Sequence, residues 1–435
     1  MRSRLVKLAV VVAIFAMAVP TFAAVENVKV GGDIDVKMIY RDHIGFGNAL
    51  DPMNFTYMGT RVYLAADLTD NVSAMIRLIN ERDFGSDYLR DIEGNLIVDL
   101  AYVKLADLLA PGFDLTVGRQ EIQIGEGLVV GSRYRALDYI GADIGTLALD
   151  MGQQKAFDAI KVDYAFPGSD MTISAFKAKI IETYGLTGLG IPVGDVDLYG
   201  LSGKYDNGNF CLEPYFAYLR MADAEDVDLN LMTLGARAGL APMENLKLKL
   251  ELAKQFGSAE LLGNKPDFKG WAGLLGGSFS FGGEIKPTLT AAYSYFSGQD
   301  SSTDINMWIP MFPSNVASRV GKIAYPTLFQ AGDGFGRFFF DGTTGLQVIN
   351  LGFGMNPAEK IGLGIDLFNL RALETAGGVS KSFGNEVDLS FTYAYTEDVT
   401  FGLDLGILFT GSNIEDNLGV DENPWQLIGS MKLAF

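Results

Sequence analysis

The feature that most constrains this chain is a strict two-residue alternation of apolar and polar side chains, sustained far beyond the length of an ordinary strand. From Val28 the even positions read Val28, Val30, Gly32, Ile34, Val36, Met38 and Tyr40, while the odd positions read Lys29, Gly31, Asp33, Asp35, Lys37, Ile39 and Arg41. The pattern returns at Leu246, Leu248, Leu250 and Leu252, at Val387, Leu389, Phe391, Tyr393 and Tyr395, and at Val399, Phe401, Leu403, Leu405, Ile407 and Phe409. A period of two is a strand with one greasy and one polar face. Strands of soluble sandwiches average about five or six residues, whereas a tilted strand needs about nine to eleven to cross a bilayer. Length therefore selects the membrane.

The alternation, cut at turn residues, predicts strands over 28–41, 55–68, 72–82, 97–106, 113–119, 156–166, 171–180, 196–205 and 210–220 in the first half. The second half adds 229–240, 246–256, 268–281, 286–297, 346–355, 361–371, 383–395, 399–409 and 425–435. That makes eighteen, an even number, as single-chain bacterial barrels require. The connections after even-numbered strands are short and built of turn residues, for example Asp206 to Asn209, whereas the long pieces, 120–155 and 298–345, follow odd-numbered strands. The expected fold is all-β: a transmembrane antiparallel β-barrel of about eighteen strands, with short periplasmic turns, long extracellular loops and an outer-membrane location.

The first residues read as an export signal. Arg2, Arg4 and Lys7 precede an apolar run from Leu8 to Val19, and Thr21, Phe22 and Ala23 form a cleavage site. Residues 1–23 are thus the expected signal peptide and 24–435 a single barrel domain. The first strand starts a few residues beyond the cleavage site, so no plug domain of energised uptake is expected ahead of it. Composition narrows the function. One His and one Cys in 435 residues leave only His43 and Cys211 for a nucleophilic triad or a His/Cys metal site, so no catalytic residue, metal or cofactor is expected. The lone Cys211 has no disulfide partner, and a net charge of -19 opposes nucleic-acid binding.

A barrel of this size encloses water. The polar parity places Arg61, Arg77, Glu81, Lys161, Asp163, Arg237, Lys247, Lys249, Asp366 and Asp388 on the pore wall, where mixed charge escapes the cost of facing lipid. Aromatic residues on the apolar parity near strand ends, Tyr205, Phe210, Tyr295, Tyr395 and Trp425, read as interfacial girdles. Two acidic clusters, Asp223, Glu225, Asp226 and Asp228, then Glu415, Asp416, Asp421 and Glu422, read as solvated loops, with bridging of lipopolysaccharide through divalent ions as the alternative. The glycines of 125–131 lack the lysine and setting of a nucleotide loop and are expected to allow a tight fold against the wall. The final strand alternates to a terminal Phe435, an ending that resembles the signal read by the barrel-assembly machinery.

After the fifth strand the chain reads Gly118, Arg119, Gln120, Glu121, Ile122, then Gly125, Glu126, Gly127, Leu128, Val129, Val130, Gly131, Ser132, Arg133, and later Phe157, Asp158. This resembles the alginate-export porins, which carry a Gly-Arg-Gln run, a Gly-acid-Gly loop ending in Gly and Arg, and a following Phe-Asp. The resemblance implies eighteen strands and a passive pore for a linear polyuronate, with an arginine-rich constriction partly made by an inward-folded loop. By motif it brings Arg119, Arg133 and Asp158, with Arg135 close by, to the pore. Leu128 stands where that family has arginine.

Three function classes follow. The first is a porin passing hydrophilic, charged solutes, with export of an anionic polysaccharide such as alginate as its sharper form. The second is a barrel sheathing a partner protein in a structural or electron-conduit role. The third is an outer-membrane enzyme. The expected partners are outer-membrane lipid and lipopolysaccharide, the solute or polysaccharide, and the assembly machinery, with no nucleic acid.

Overall fold

A computed structural model describes residues 26–44, 52–85, 96–131, 151–153, 155–182, 195–224, 227–261, 264–301, 303–314, 316–325, 343–419 and 421–435. The strands are β1 (Glu26–Asp42), β2 (Met53–Thr69), β3 (Val72–Asp83), β4 (Ile97–Leu105), β5 (Phe113–Glu121), β6 (Ala156–Ala165), β7 (Met171–Ile181), β8 (Asp195–Asp206) and β9 (Phe210–Ala224). They continue with β10 (Val227–Met243), β11 (Leu246–Leu261), β12 (Trp271–Ser280), β13 (Thr288–Phe296), β14 (Thr344–Ala358), β15 (Ile361–Glu374), β16 (Ser382–Ala394), β17 (Val399–Thr410) and β18 (Trp425–Ala434). Among the described residues two short helices, α1 (Ala317–Val320) and α2 (Ser412–Leu418), lie in the loops after β13 and β17.

Each strand pairs antiparallel with its sequence neighbours, and β18 returns to β1, from Asp33 opposite Ala434 to Asp42 opposite Trp425. The sheet closes and has no free edge. The terminal Phe435 continues this seam: its N–H donates to the Gly32 carbonyl at 3.0 Å, and Gly32 N–H donates to the Phe435 carbonyl at 2.9 Å. All eighteen expected segments are strands. The rim is where they differ, because strands there are held by ladder hydrogen bonds rather than by a lipid-facing stripe. β9 and β10 run on to Ala224 and Val227, which face each other. Asp223 and Asp228 are therefore strand residues rather than loop residues, and Glu225 and Asp226 lie outside the described residues, as does the 1–23 segment. Glu415 and Asp416 likewise belong to α2.

The short turns are built by side chains as well as backbone. After β8, Asn207 Oδ1 accepts from the N–H groups of Asn209 at 3.1 Å and Phe210 at 2.8 Å, while Asp206 Oδ1 accepts from Gly208 at 3.1 Å. Gly208 takes φ 85°, which an L side chain would resist. On the outer surface Met38, Leu201, Leu234, Leu275, Leu351 and Leu403 stand exposed, an apolar belt suited to lipid. Aromatic rings flank it, with Tyr205 6.3 Å from Phe210, Tyr40 5.0 Å from Trp425 and Tyr395 6.2 Å from Phe401.

The largest apolar cluster lies inside the barrel. Inward residues of β6 to β12, including Phe157, Phe176, Ala178, Leu198, Leu219 and Leu231, pack against Leu128, Val129, Val130, Trp308, Met311 and Phe312, which belong to the two long loops. The segments 122–131, 303–314 and 316–325 thus fold into the lumen.

Candidate translocation site

The first inward segment is fixed to the wall by its own backbone. Gly125 N–H donates to Glu213 Oε1 at 3.1 Å, and Glu126 N–H donates to Glu251 Oε2 at 2.8 Å. Those acceptors are placed by register: Glu213, Arg237 and Glu251 face one another across β9, β10 and β11, all on the inward parity. The Glu126 carboxylate then accepts from Arg237 Nε at 2.6 Å and Lys249 Nζ at 3.0 Å. Tyr215 O–H donates to Glu251 Oε1 at 2.7 Å, completing the wall side of the anchor.

The second inward segment lies alongside the first as a short parallel pairing. Phe312 N–H donates to the Val129 carbonyl at 2.9 Å, Gly131 N–H to the Phe312 carbonyl at 2.8 Å, and Ser314 N–H to the Gly127 carbonyl at 2.9 Å. The approach needs glycine, since a Cβ on Gly127 would stand 2.0 Å from Ser314 Oγ. Gln255, fully buried, clamps Ile309 from both sides, accepting its N–H at 2.9 Å and donating to its carbonyl at 2.6 Å. Beyond them Arg319 on α1 donates to the carbonyls of Glu126 and Gly127, the latter at 3.3 Å. The segment ends on another part of the barrel: Glu386 accepts from Ile323 N–H at 2.7 Å and Ala324 N–H at 2.8 Å, Asp388 accepts from Lys322 N–H at 3.2 Å, and Lys322 Nζ pairs with Asp404. The two loops form one strap, anchored on β9 to β11 at one end and on β16 and β17 at the other.

Charge sits at each anchor. Burial pushes the Glu126 carboxyl up, but the hydrogen bonds and charges of Lys249 and Arg237 outweigh it and hold the group below the ordinary glutamate range. Burial draws the Arg319 guanidinium down from its ordinary value, against the attraction of Glu251 and Glu126. On the side of the strap nearest the short turns lies a cavity of about 620 Å³. Its lining includes Glu126, Arg237, Lys247, Lys249, Asp206 and Asn350. Among the described residues Lys247 has no ion-pair partner.

The residues singled out by sequence divide into three groups. Most stand on the inward parity. Arg61 pairs with Asp33 at 2.9 Å, Arg77 with Asp99 at 2.5 Å and Glu121 at 2.6 Å, and Lys161 with Asp163 at 2.7 Å. Glu81 accepts from Tyr57 O–H at 2.8 Å and Gln153 N–H at 2.6 Å, and Asp366 accepts from Asn350 Nδ2 at 3.2 Å. Arg237, Lys247, Lys249 and Asp388 are those at the strap and cavity. Arg119 and Asp158 are the correction. Register sets them opposite each other and in line with Val117 and Ile160, on the outward face, where they form a 3.1 Å ion pair. The reason is that the inward neighbours here, Phe157 and Ala159, are apolar because the strap covers them, so the polar parity near the loop-side rim faces out. Arg133 and Arg135 lie outside the described residues.

Sequence reasoning missed Arg319, Lys322 and Glu386 as members of the site. Arg319 and Lys322 sit in an aperiodic stretch that offers no signal. Glu386 had one, since it stands two residues before Asp388 and therefore on the same face.

A closed eighteen-stranded barrel, lipid-facing outside and with a charged lumen entered by its own loops, is an outer-membrane porin. The profile of the alginate export family matches residues 27–424, and the chain belongs to that family. Solved structures of the same fold include the outer membrane protein OpdK of Pseudomonas aeruginosa, with TM-score 0.57 and 11% identity, covering 94% of this chain and 99% of that one. OpdO from the same organism gives TM-score 0.55 and 15% identity over 95% and 99%, and OprD gives 0.51 and 11% over 95% and 98%. Among curated proteins no sequence matches.

Proposed function

We propose that this porin passes hydrophilic anionic solutes by passive diffusion past the strap, with an anionic polysaccharide such as a polyuronate as the solute it is built for. The observation that carries the reading is the cavity beside the strap, lined by Arg237, Lys247 and Lys249 along with Glu126 and Asp206, where Arg237 and Lys249 hold the Glu126 carboxylate. A guanidinium and two ammonium groups suit a carboxylate guest, and Glu126 already shows how one is held. Family membership supports the same direction of thought. The acidity of the chain does not oppose it locally, because many lumen acids are already paired, as Asp33 is with Arg61 and Asp99 with Arg77.

The sheath reading is weaker, since a lumen crossed by the chain's own segments leaves less room for a partner protein. Export by the 1–23 signal and recognition of the last strand by the assembly machinery complete the proposed biogenesis. The test is single-channel conductance and reversal potential of the mature protein in a planar bilayer under a KCl gradient, with polyuronate added to one side. Ohmic pores with anion preference and block by polyuronate, weakened in Lys247→Gln and Lys249→Gln, are expected. Cation-preferring pores indifferent to polyuronate would discard the anionic solute.

A further inference from the structure

The cavity beside the strap has two unlike walls. Arg237, Lys247 and Lys249 give it a cationic one, on β10 and β11. The wall that continues from there is built by β12, β13 and β14, which contain no charged residue at all, and it lines the cavity with Ser278, Thr290 and Asn350. Register makes the join abrupt, since Lys247 lies opposite Ser278, Ser278 opposite Thr290, and Thr290 opposite Gly352. With neighbouring strands about 4.8 Å apart, the wall passes from ammonium to second hydroxyl within about 10 Å.

These polar groups are offered to the cavity rather than to one another. Neither the Ser278 nor the Thr290 hydroxyl has a hydrogen-bond partner among the described residues. At Gly352 the wall is hollowed: a Cβ there would stand 2.3 Å from Thr290 Oγ1 and 2.5 Å from Asp366 Oδ1, so a hydroxyl and a carboxylate oxygen lean over the same bare backbone from either side. Asn350 Nδ2 donates to that Asp366 oxygen at 3.2 Å. Asp366, on β15 opposite Gly352, thus closes the uncharged stretch on the side away from Lys247.

We infer that Ser278 and Thr290, with Asn350 beside them, make this site selective for a glycan among polyanions. The inference rests on the anionic-solute reading above and supplies the other half of the recognition. A sugar carboxylate faces Arg237, Lys247 and Lys249, while ring hydroxyls on the opposite edge meet Ser278 and Thr290. Asp366 bars the reversed orientation, because it would repel the guest's carboxylate. Serine and threonine hydroxyls both donate and accept, so they serve a ring hydroxyl whichever way it points. A dry site built for a hydroxyl rejects its absence strongly, since its own polar groups are left unpaired. Here water satisfies them when no sugar is present, so the discrimination is smaller.

The test is block of single-channel current through the full mature protein by a mannuronate oligomer and, separately, by an acrylate oligomer of equal length and charge, which carries carboxylates and no hydroxyl. Wild type is expected to be half-blocked at about tenfold lower concentration of the sugar, the scale of one or two net hydrogen bonds. In Ser278→Ala/Thr290→Val that preference should fall to about twofold or less, whereas Ser278→Thr/Thr290→Ser, which keeps both hydroxyls, should retain it. Heat-modifiable gel mobility identifies the variants that form closed barrels, and the isosteric Thr290→Val alone serves where the pair does not. Equal block of wild type by both oligomers, or a preference that survives loss of the hydroxyls, would overturn the inference and leave the anionic solute standing. No block by either oligomer would sink the anionic solute and the inference with it.

Discussion

The inner wall of β1 to β4 and the inner wall of β6 to β12 belong to one sheet yet obey opposite rules. The first presents Asp33, Asp35, Arg61, Arg77, Glu81 and Asp99, tied to one another and to Gln153 across strands. The second presents Phe157, Phe176, Ala178, Leu198 and Leu231, and its polar groups at this level turn outward, as Arg119 and Asp158 do. The difference is what each wall faces. One meets water; the other meets the strap and must bury apolar surface against it. A β-barrel strand records its environment, and the environment of an inner wall depends on where the loops go.

The comparison breaks most sharply at Phe312, which packs edge-on against Phe157 at 5.6 Å and carries the parallel pairing of the two loops. Phe312→Ala should remove about 3–5 kcal/mol from strap docking, the usual cost of emptying such a site. The barrel ladder is untouched, so conductance should rise while heat-modifiable gel mobility still reports a closed barrel. Unchanged conductance would mean that the strap does not narrow the path. Glu126→Gln should act less strongly. Each lost charge-assisted bond is worth about 1.5–3 kcal/mol, and the backbone anchors to Glu213 and Glu251 remain. The expected result is a modest rise in conductance with a clear shift of reversal potential toward anions, because Arg237 and Lys249 are freed.

The sequence made the barrel legible and left the strap dark. The period-two pattern of Val28 to Tyr40 or Val399 to Phe409 is imposed by lipid on one side and water on the other, so it survives in any strand with those neighbours. Strand ends drifted, by five residues at the end of β11, because above the bilayer only ladder hydrogen bonds define a strand. The site was half visible. Arg237 and Lys249 were found because they share a parity with neighbours that alternate cleanly. Arg119 and Asp158 came from motif alone and proved to face outward, since a motif fixes neighbours in sequence and not the face they stand on. Arg319 reaches the site through a loop fold 193 residues distant from its Glu126 acceptor, and no local pattern encodes such a meeting.

Acid should reproduce part of the Glu126→Gln effect. Because the folded Glu126 carboxyl is held below its unfolded value, its contribution to docking is fully present above the ordinary glutamate pKa of about 4.3 and disappears as pH falls through the lower folded value. Conductance of wild type should therefore be flat from neutral pH down to the ordinary glutamate pKa of about 4.3 and rise only below it, converging on that of Glu126→Gln. A wild-type curve that stays parallel to the variant at all pH values would remove Glu126 as the titrating anchor.

Lys247→Gln should have the smallest effect and the most specific one. Lys247 lines the cavity but has no ion-pair partner among the described residues. Its loss should change stability by no more than about 0.5 kcal/mol, the usual range for a side chain without such ties. Conductance in symmetric salt should barely move. Reversal potential should shift toward cations, and block by polyuronate should weaken, because one positive charge has left the water-filled side of the strap while every apolar contact on its other side is intact. If block is lost in Phe312→Ala but unaffected in Lys247→Gln, then the width set by the strap, and not the charge beside it, governs which solute passes.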